Sequence, residues 1–208
     1  MELSQQGRRK LAVVLAGMAA ITALGSAGFF MYPLYTDWQA NRTQSQLRDQ
    51  FQTASLKADY AAGEVQDASP LTRIIIPAMG TDTIVVEGTS SKALNTGAGH
   101  YPNTPLPGEP GNVAIAGHRT TYGKPFSNLE VLKPGDKITL ITPFAEHTYE
   151  VVDPFDGHAN PWVTSASDWS AINPTPEATL TLTTCHPKGS DRQRLIARAV
   201  LLESKDIA

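Results

Sequence analysis

The sequence predicts an all-β domain that follows a membrane-spanning helix and a polar stalk. Three observations support this: residues 11–36 carry no charged side chain, residues 37–69 are mainly polar, and short apolar runs separated by Gly, Pro and Asn begin at Pro70. A chain of 208 residues has room for one domain with appendages. Its 16 glycines and 15 prolines favour the many turns of a β-rich domain.

The N-terminal apolar segment has the length and composition of a transmembrane helix. About 20 apolar residues cross the hydrocarbon core, and residues 11–36 exceed that length. Basic residues 8–10 precede the segment, whereas the charges after it balance, so the positive-inside rule places residues 1–10 in the cytoplasm. Tyr32 and Tyr35 fall near the outer interface. We therefore expect a single-pass protein of the cell membrane with an extracellular domain.

A cleaved signal peptide is the alternative for this segment. The small residues Gly25, Ser26 and Ala27 resemble a cleavage site. The apolar run continues beyond them through residues 29–32, which favours a retained anchor. Both alternatives export the rest of the chain.

Residues 37–69 are predicted to form a stalk and linker. Leu47, Phe51 and Ala54 have helical spacing, and the helical pattern fades near Gly63. The polar composition favours a solvated spacer.

Residues 70–203 read as one all-β domain, followed by a tail at 204–208. Its predicted strands are 74–76, 83–86, 112–116, 137–141, 147–152, 179–182 and 195–200. Such a series of short strands indicates a closed barrel or a sandwich. Residues 125–132 have the pattern of a short helix. The long connection 153–177, which contains Trp162 and Trp169, is either a functional loop or a well-packed surface loop.

The net charge and the cysteine count limit the partners and reactions that this chain can be expected to have. A net charge of -3 gives no indication of a nucleic-acid partner. The single cysteine excludes an intramolecular disulfide. A lone cysteine is often a small buried hydrophobic residue, but an exported protein exposes a free thiol to oxidation. Cys185 ends a predicted strand just before Pro187, a position that is rigid and open to substrate. It is therefore the candidate nucleophile.

A thiol needs a neighbouring base or cation to react near neutral pH. His118 follows the predicted strand 112–116, so two strand ends at one rim could unite it with Cys185. His186 is adjacent in sequence, but consecutive strand side chains point to opposite faces. The final strand region supplies candidate oxyanion donors. These are Arg192, Arg194 and Arg198, and spacing does not choose among them.

Three segments resemble the sortase family. Residues 181–185 match the sortase signature Thr-Leu-x-Thr-Cys, residues 116–119 are similar to the sortase histidine segment, and Arg194 lies where sortases carry their catalytic arginine. Residues 100–123, with His-Tyr-Pro, Pro-Gly and Gly-His-Arg-Thr-Thr-Tyr-Gly, are similar to class E sortases of actinobacteria.

The resemblance implies an eight-stranded β-barrel and two successive acyl transfers. Cys185 would attack the Thr–Gly carbonyl of a C-terminal sorting motif, His118 would protonate the leaving amine, and Arg194 would stabilise the oxyanion. The partners would be secreted proteins that carry the motif and an amine from a peptidoglycan precursor or a pilin lysine. Membrane lipid would surround the N-terminal helix.

The resemblance also implies a peptide groove. Thr183 and Thr184 would line its floor, and the Trp162-bearing connection would help to bind the motif. Class E similarity implies Leu-Ala-x-Thr-Gly. The sequence shows neither the lid of pilin-polymerising sortases nor the acidic calcium cluster of class A sortases, so we expect no metal and no cofactor. His186 is expected to be a surface residue.

Two other classes of exported β-rich protein share some of these features. A cysteine L,D-transpeptidase should have its histidine and cysteine close together in a Ser-His-Gly-Cys segment, which Thr-Leu-Thr-Thr-Cys-His-Pro does not match. A non-catalytic anchored barrel that displays a binding surface should tolerate loss of Cys185. Among sortases, attachment of surface proteins to the cell wall is preferred to pilus polymerisation.

Overall fold

A computed structural model describes residues 5–51, 53–153 and 157–207. Residues 1–4 of the predicted cytoplasmic segment, residues 154–156 of the long connection and residue 208 of the tail lie outside the described residues. The chain forms two units, Met1–Tyr35 and Thr36–Ala208.

Residues 5–35 of the N-terminal unit form the first part of helix α1 (Gln5–Phe51), which continues into the second unit. This helix contains a segment of mean hydropathy 1.9 that is long and apolar enough to cross a membrane. Pro33 lies inside the helix without ending it. The sequence placed the boundary between anchor and stalk at residue 36, and the helix has no break at that point.

The second unit is built around strands β1–β9, with two short helices before and among them. The helices are α2 (Ala54–Ala62) and α3 (Ser91–Leu94). The strands are β1 (Pro70–Ile76), β2 (Thr81–Glu87), β3 (Ala98–His100), β4 (Asn112–Gly117), β5 (Lys137–Ile141), β6 (Ala145–Val151), β7 (Trp162–Ser165), β8 (Thr179–His186) and β9 (Gln193–Asp206).

Eight strands close into a barrel. Their order is β6-β5-β1-β2-β3-β4-β8-β9, and pairing of β9 with β6 completes the ring. β2–β3 and β4–β8 are parallel pairs, whereas the other pairs are antiparallel. The ninth strand, β7, pairs with the first half of β9. The predicted eight-stranded closed barrel is thus confirmed, with β7 added at its side.

The barrel interior is filled by alternate side chains of the strands, as a closed sheet of this size requires. Its largest fully buried members include Ile74, Ile115, Leu140, Tyr149 and Leu182. The alternation on β8 and β9 leaves the other set of side chains on the outer face, where the cleft described below lies.

The structure differs from the sequence-based expectations at several element boundaries. β3, β7 and α3 were not predicted, because each is short and lacks an apolar run. The predicted helix at 125–132 is reduced to one 3-10 turn at Leu129–Val131. β9 extends to Asp206, where it pairs with Ala145, so the predicted tail at 204–208 is mostly strand.

The stalk packs on the barrel and is not a solvated spacer. Leu47, Phe51 and Leu56 are at most 7% exposed and form a second apolar cluster with residues of β2 and α3. Gln44 makes hydrogen bonds to the backbone of Ile84 in both directions, at 3.0 and 2.7 Å. The polar composition concealed this contact, because only one face of the helix is apolar.

Hydrogen exchange tests this packing. We expect the amides of residues 44–51 to exchange slowly, and Leu47→Ala to accelerate their exchange because it removes buried apolar contacts worth about 2–5 kcal/mol. Gln46→Ala, on the exposed face of the same helix, is the control and should change little. Fast exchange in the unsubstituted protein would contradict the packing.

Candidate active site

Three strand ends meet at one rim of the barrel. β4 and β8 are parallel neighbours, so the residues after their carboxyl ends lie side by side. His118 directly follows β4, and Cys185 lies near the end of β8. β9 runs antiparallel to β8 and begins at the same rim, where Arg194 is the cross-strand partner of Cys185. Directly opposed residues on neighbouring strands have Cβ atoms about 4.5–5.5 Å apart.

These residues line one cavity of about 230 Å³, here called the Cys185 cleft. Its lining includes Tyr101, His118, Trp169, Thr183, Thr184, Cys185 and Arg194. A second depression of about 250 Å³ shares His118 and Cys185 and is otherwise formed by residues that include Arg119 and Asp191. Cys185 and His118 therefore lie where the two depressions meet.

His118 is held by close packing of the backbone that precedes it. A Cβ atom on Gly117 would lie 2.7 Å from the Phe126 ring, so only glycine allows this approach. The buried Thr184 hydroxyl donates to the Gly117 carbonyl at 2.7 Å. Gly117 and Thr184 thus fix the end of β4 against β8.

The His118 ring is largely enclosed. Its Nε2 atom is buried and has no hydrogen-bond partner among the described residues. The Tyr122 ring lies 5.0 Å away, measured between centroids, at an interplanar angle of 36°. Burial lowers the pKa of His118 below its ordinary value.

This lowered pKa predicts a dependence of stability on pH. The unfolded chain binds a proton at His118 near the ordinary pKa of about 6.5, whereas the folded protein resists protonation until a lower pH. The free energy of unfolding should therefore fall as pH drops below about 6.5, and less steeply in His118→Gln. Urea unfolding at several pH values measures this difference. Because burial also lowers the pKa of His147, a residual slope should persist in the variant.

Arg119 contacts the backbone of the candidate nucleophile. Its Nη1 donates to the Cys185 carbonyl at 3.2 Å and to His186 Nδ1 at 2.8 Å, while Nη2 pairs with Glu130 at 3.0 Å. Arg119 is buried. His186 is thus half-buried and hydrogen-bonded, unlike the surface position expected from the sequence. Arg119 lay in the quoted histidine segment, but no sequence signal gave it this role.

Arg194 is distinguished from the other two candidate arginines. Its Nη1 donates to the carbonyls of Asp191 and Gln193, which hold the guanidinium at the rim of the cleft. Arg192 contacts Ser190 in the preceding turn. Arg198 is buried and donates to the Ala171 carbonyl at 2.6 Å, beside a different cavity.

The predicted peptide-binding residues divide between two places. Thr183 and Thr184 line the Cys185 cleft, and the Thr183 hydroxyl lies 3.1 Å from the Tyr101 hydroxyl. Trp162, on β7, instead lines the Arg198 cavity and stacks on His158. The tryptophan at the Cys185 cleft is Trp169, which packs edge-on against Tyr101.

A buried asparagine fixes the segment that carries Trp169. Asn112 Nδ2 donates to the carbonyls of Ala171 and Asn173, both at 3.0 Å, and its Oδ1 accepts from Thr181 at 2.7 Å. Trp169 is therefore attached to β4 and β8 despite the length of its loop. Sequence reasoning missed Asn112 because it reads as an ordinary strand residue.

Within 5–51, 53–153 and 157–207, no group of three or more His, Cys, Asp and Glu side chains is placed to hold a metal ion.

A closed barrel that brings a thiol, an imidazole and a guanidinium to one cleft has the chemical groups of a cysteine-dependent acyl-transfer site. The sequence model of the Sortase domain matches residues 74–202. The chain therefore belongs to the sortase family, and the resemblance noted from its motifs is confirmed.

Individual relatives agree with this assignment. Sortase SrtE1 of Streptomyces coelicolor is 30% identical over 182 residues, which cover 80% of this chain and 49% of the relative. The chain thus spans about half the length of that protein. The structure of sortase E from Streptomyces avermitilis is similar, with a TM-score of 0.60 and 34% identity over 68% of this chain and 93% of that one. For SrtF of Corynebacterium diphtheriae the TM-score is 0.65, with 30% identity and coverages of 69% and 90%.

Proposed function

We propose that this protein is a membrane-anchored transpeptidase that cleaves a C-terminal sorting motif between Thr and Gly and transfers the acyl group to an amine. The observation that carries the proposal is the convergence of Cys185, His118 and Arg194 at one rim, in a member of the sortase family. Attachment of surface proteins to the cell wall is the proposed role.

The chemistry follows from the three side chains. The Cys185 thiolate attacks the Thr carbonyl carbon, and Arg194 donates hydrogen bonds to the resulting oxyanion. His118, which has taken the proton of the Cys185 thiol, passes it to the departing Gly nitrogen, and a thioester remains on Cys185. The incoming amine then attacks this thioester, His118 takes its proton, and the thiolate is released. Dividing one difficult exchange into two acyl transfers is the advantage of a covalent intermediate.

Two depressions give two substrates access to the same thiol. The Cys185 cleft, with its aromatic and threonine side chains, suits the extended acyl peptide. The second depression, which Asp191 borders, also includes Cys185 in its lining. This arrangement supports a transferase, because the acceptor can approach while the acyl group still occupies the cleft.

The apolar part of α1 supplies the proposed anchor. We place residues 11–36 in the membrane, residues 1–10 in the cytoplasm and the barrel outside, where secreted substrates and cell-wall amines are found.

A peptide assay tests the proposed function. The full chain, solubilised in detergent, is incubated with Leu-Ala-x-Thr-Gly or Leu-Pro-x-Thr-Gly peptides and with a glycine-based or lysine-based amine. We expect a mass increase on Cys185 without amine and a ligated product with it, with the Ala-containing peptide preferred. Reaction of the Pro-containing peptide alone would reject the class E preference, and failure of every peptide to load would reject the transpeptidase.

Arg194→Ala is expected to slow acylation about 10²–10³-fold, because removal of one oxyanion donor has an effect of this size. Arg194→Lys should recover only part of the loss, since an ammonium lacks the planar fork of donors. Arg192→Ala is the matched control at the same turn and should retain activity. Equal losses in the Arg192 and Arg194 variants would contradict the assignment. Stopped-flow measurement of peptide cleavage separates these outcomes.

A further inference from the structure

Three consecutive residues after the histidine segment have left-handed backbone conformations. The φ angles are 52° at Tyr122, 74° at Gly123 and 39° at Lys124. Such conformations are unfavourable for side-chain-bearing residues and persist where surrounding contacts impose them. The contacts around residues 122–124 must therefore stabilise this unfavourable backbone conformation.

One of these contacts comes from the part of α1 that leaves the membrane-spanning segment. The Asp37 carboxylate accepts a hydrogen bond from the Gly123 backbone N–H at 3.0 Å and pairs with Lys124 Nζ at 2.8 Å. Ala40, one turn further along the helix, is buried and would contact a Cβ atom on Gly123 at 3.5 Å. The helix thus contacts the turn through both polar and apolar groups.

The same turn carries the ring that lies against His118. Tyr122 is the first of the three residues, and its ring centroid is 5.0 Å from that of the imidazole. Any displacement of the turn moves this ring, because the backbone of Tyr122 is part of it.

We propose that residues 36–51 of α1 form a positioning element of the Cys185 cleft, in which Asp37 fixes the Tyr122–Lys124 turn and thereby holds the Tyr122 ring against His118. This inference rests on the proposed function for its kinetic consequence, but its structural part stands independently. The anchor helix then both tethers the protein and sets the geometry of its acid–base residue.

The element extends along the helix through further contacts with the barrel. Gln44 bonds to the β2 backbone, and Arg48 pairs with Asp82 at 3.0 Å. Asp82 also pairs with Arg73, and these two arginines hold its pKa at about 2, so the pair stays ionised at neutral pH. Asp37, Gln44 and Arg48 thus form a series of contacts that hold this part of α1 against the barrel.

The test uses the full chain in detergent micelles or nanodiscs, with two readouts. The first is kcat/KM for the sorting peptide. The second is the NMR shift of the His118 ring Cε1–H, which a neighbouring Tyr ring displaces by its ring current and which His118→Gln assigns. We expect Asp37→Ala to lower kcat/KM by about 10- to 100-fold, as for a small misplacement of a catalytic group, and to remove the ring-current displacement.

Matched variants separate positioning from general damage. Tyr122→Ala should reproduce both effects of Asp37→Ala, whereas Tyr122→Phe keeps the ring and should retain the ring-current displacement. Asp59→Ala, which changes an exposed acid on α2 outside residues 36–51, should change neither.

The Tyr122 ring contacts His118, Cys185, Arg194 and Asp191 line the two depressions with it, and Arg119 follows it in the chain. The pKa of His118 is therefore read in the same titration, and it should rise in Tyr122→Ala because the ring no longer shields the imidazole. Wild-type kcat/KM together with an unchanged ring-current displacement in Asp37→Ala would overturn the proposal. If no peptide loads the unsubstituted protein, the transpeptidase fails, yet the NMR readout still decides whether Asp37 positions Tyr122.

Discussion

Replacement of Cys185 by alanine should abolish acyl-enzyme formation and lower peptide cleavage by at least about 10⁴-fold. The effect is large because the thiol is the only cysteine in the chain and no other residue can form the thioester. Loss of a catalytic nucleophile typically removes nearly the whole contribution of the residues that act with it. Intact-mass spectrometry after incubation with a sorting peptide measures loading, and a quenched peptide measures cleavage.

The substitution should leave the fold intact, which makes the result specific. Cys185 is partly exposed at the end of β8, and its strand pairing with Arg194 uses backbone groups that alanine retains. The thermal unfolding midpoint should therefore stay close to that of the unsubstituted protein. Persistent peptide loading or amine-dependent ligation in Cys185→Ala would show that the nucleophile lies elsewhere. Retention of every biological function would instead favour the non-catalytic anchored barrel.

Replacement of His118 by glutamine is expected to lower kcat/KM by about 10²–10⁴-fold, the usual contribution of a general acid–base residue. Glutamine keeps a polar side chain but cannot deliver a proton to the departing nitrogen. His118 lines both depressions, where its ring can serve the leaving amine and the incoming one. Cleavage and transfer should both slow in this variant.

His186→Gln provides the matched control for that experiment. His186 adjoins Cys185 in sequence but directs Nδ1 towards Arg119. The His186→Gln variant should therefore retain most of the transpeptidase activity, with at most a modest change in the rate at which the peptide loads onto Cys185. If instead the His186 variant were inactive and the His118 variant active, the acid–base assignment would be reversed. Measuring kcat/KM of both variants at several pH values shows whether a substitution has only shifted the pH optimum.

Much of the barrel is readable from the sequence because its strands are apolar runs of ordinary length. The runs at 112–116 and 179–182 marked the two strands that carry the candidate imidazole and thiol, and the site follows from where those strands end. β3 and β7 were not predicted, because a strand of three or four residues of mixed polarity shows no hydrophobic periodicity.

Side-chain contacts between distant segments were beyond sequence reasoning. Spacing gave no means to choose Arg194 over Arg198, since that choice depends on the pairing of β8 with β9. The family resemblance led to Trp162 as the candidate in the long connection, whereas the tertiary path of that loop brings Trp169 to the cleft. The stalk was misjudged for a related reason: its polar residues, such as Gln44, make specific contacts that composition does not reveal.

The parallel pairing of β4 with β8 affects when the catalytic residues come together during folding. Parallel neighbours require a long crossover, and here the crossover contains β5, β6 and β7. Contacts between segments far apart in sequence form late and slowly, since the entropy of closing the intervening loop must first be overcome. The Cys185 thiol and the His118 imidazole therefore come together only when the β-barrel closes. Under the export proposed above, a chain that crossed the membrane unfolded would have no assembled catalytic centre until its barrel closed outside.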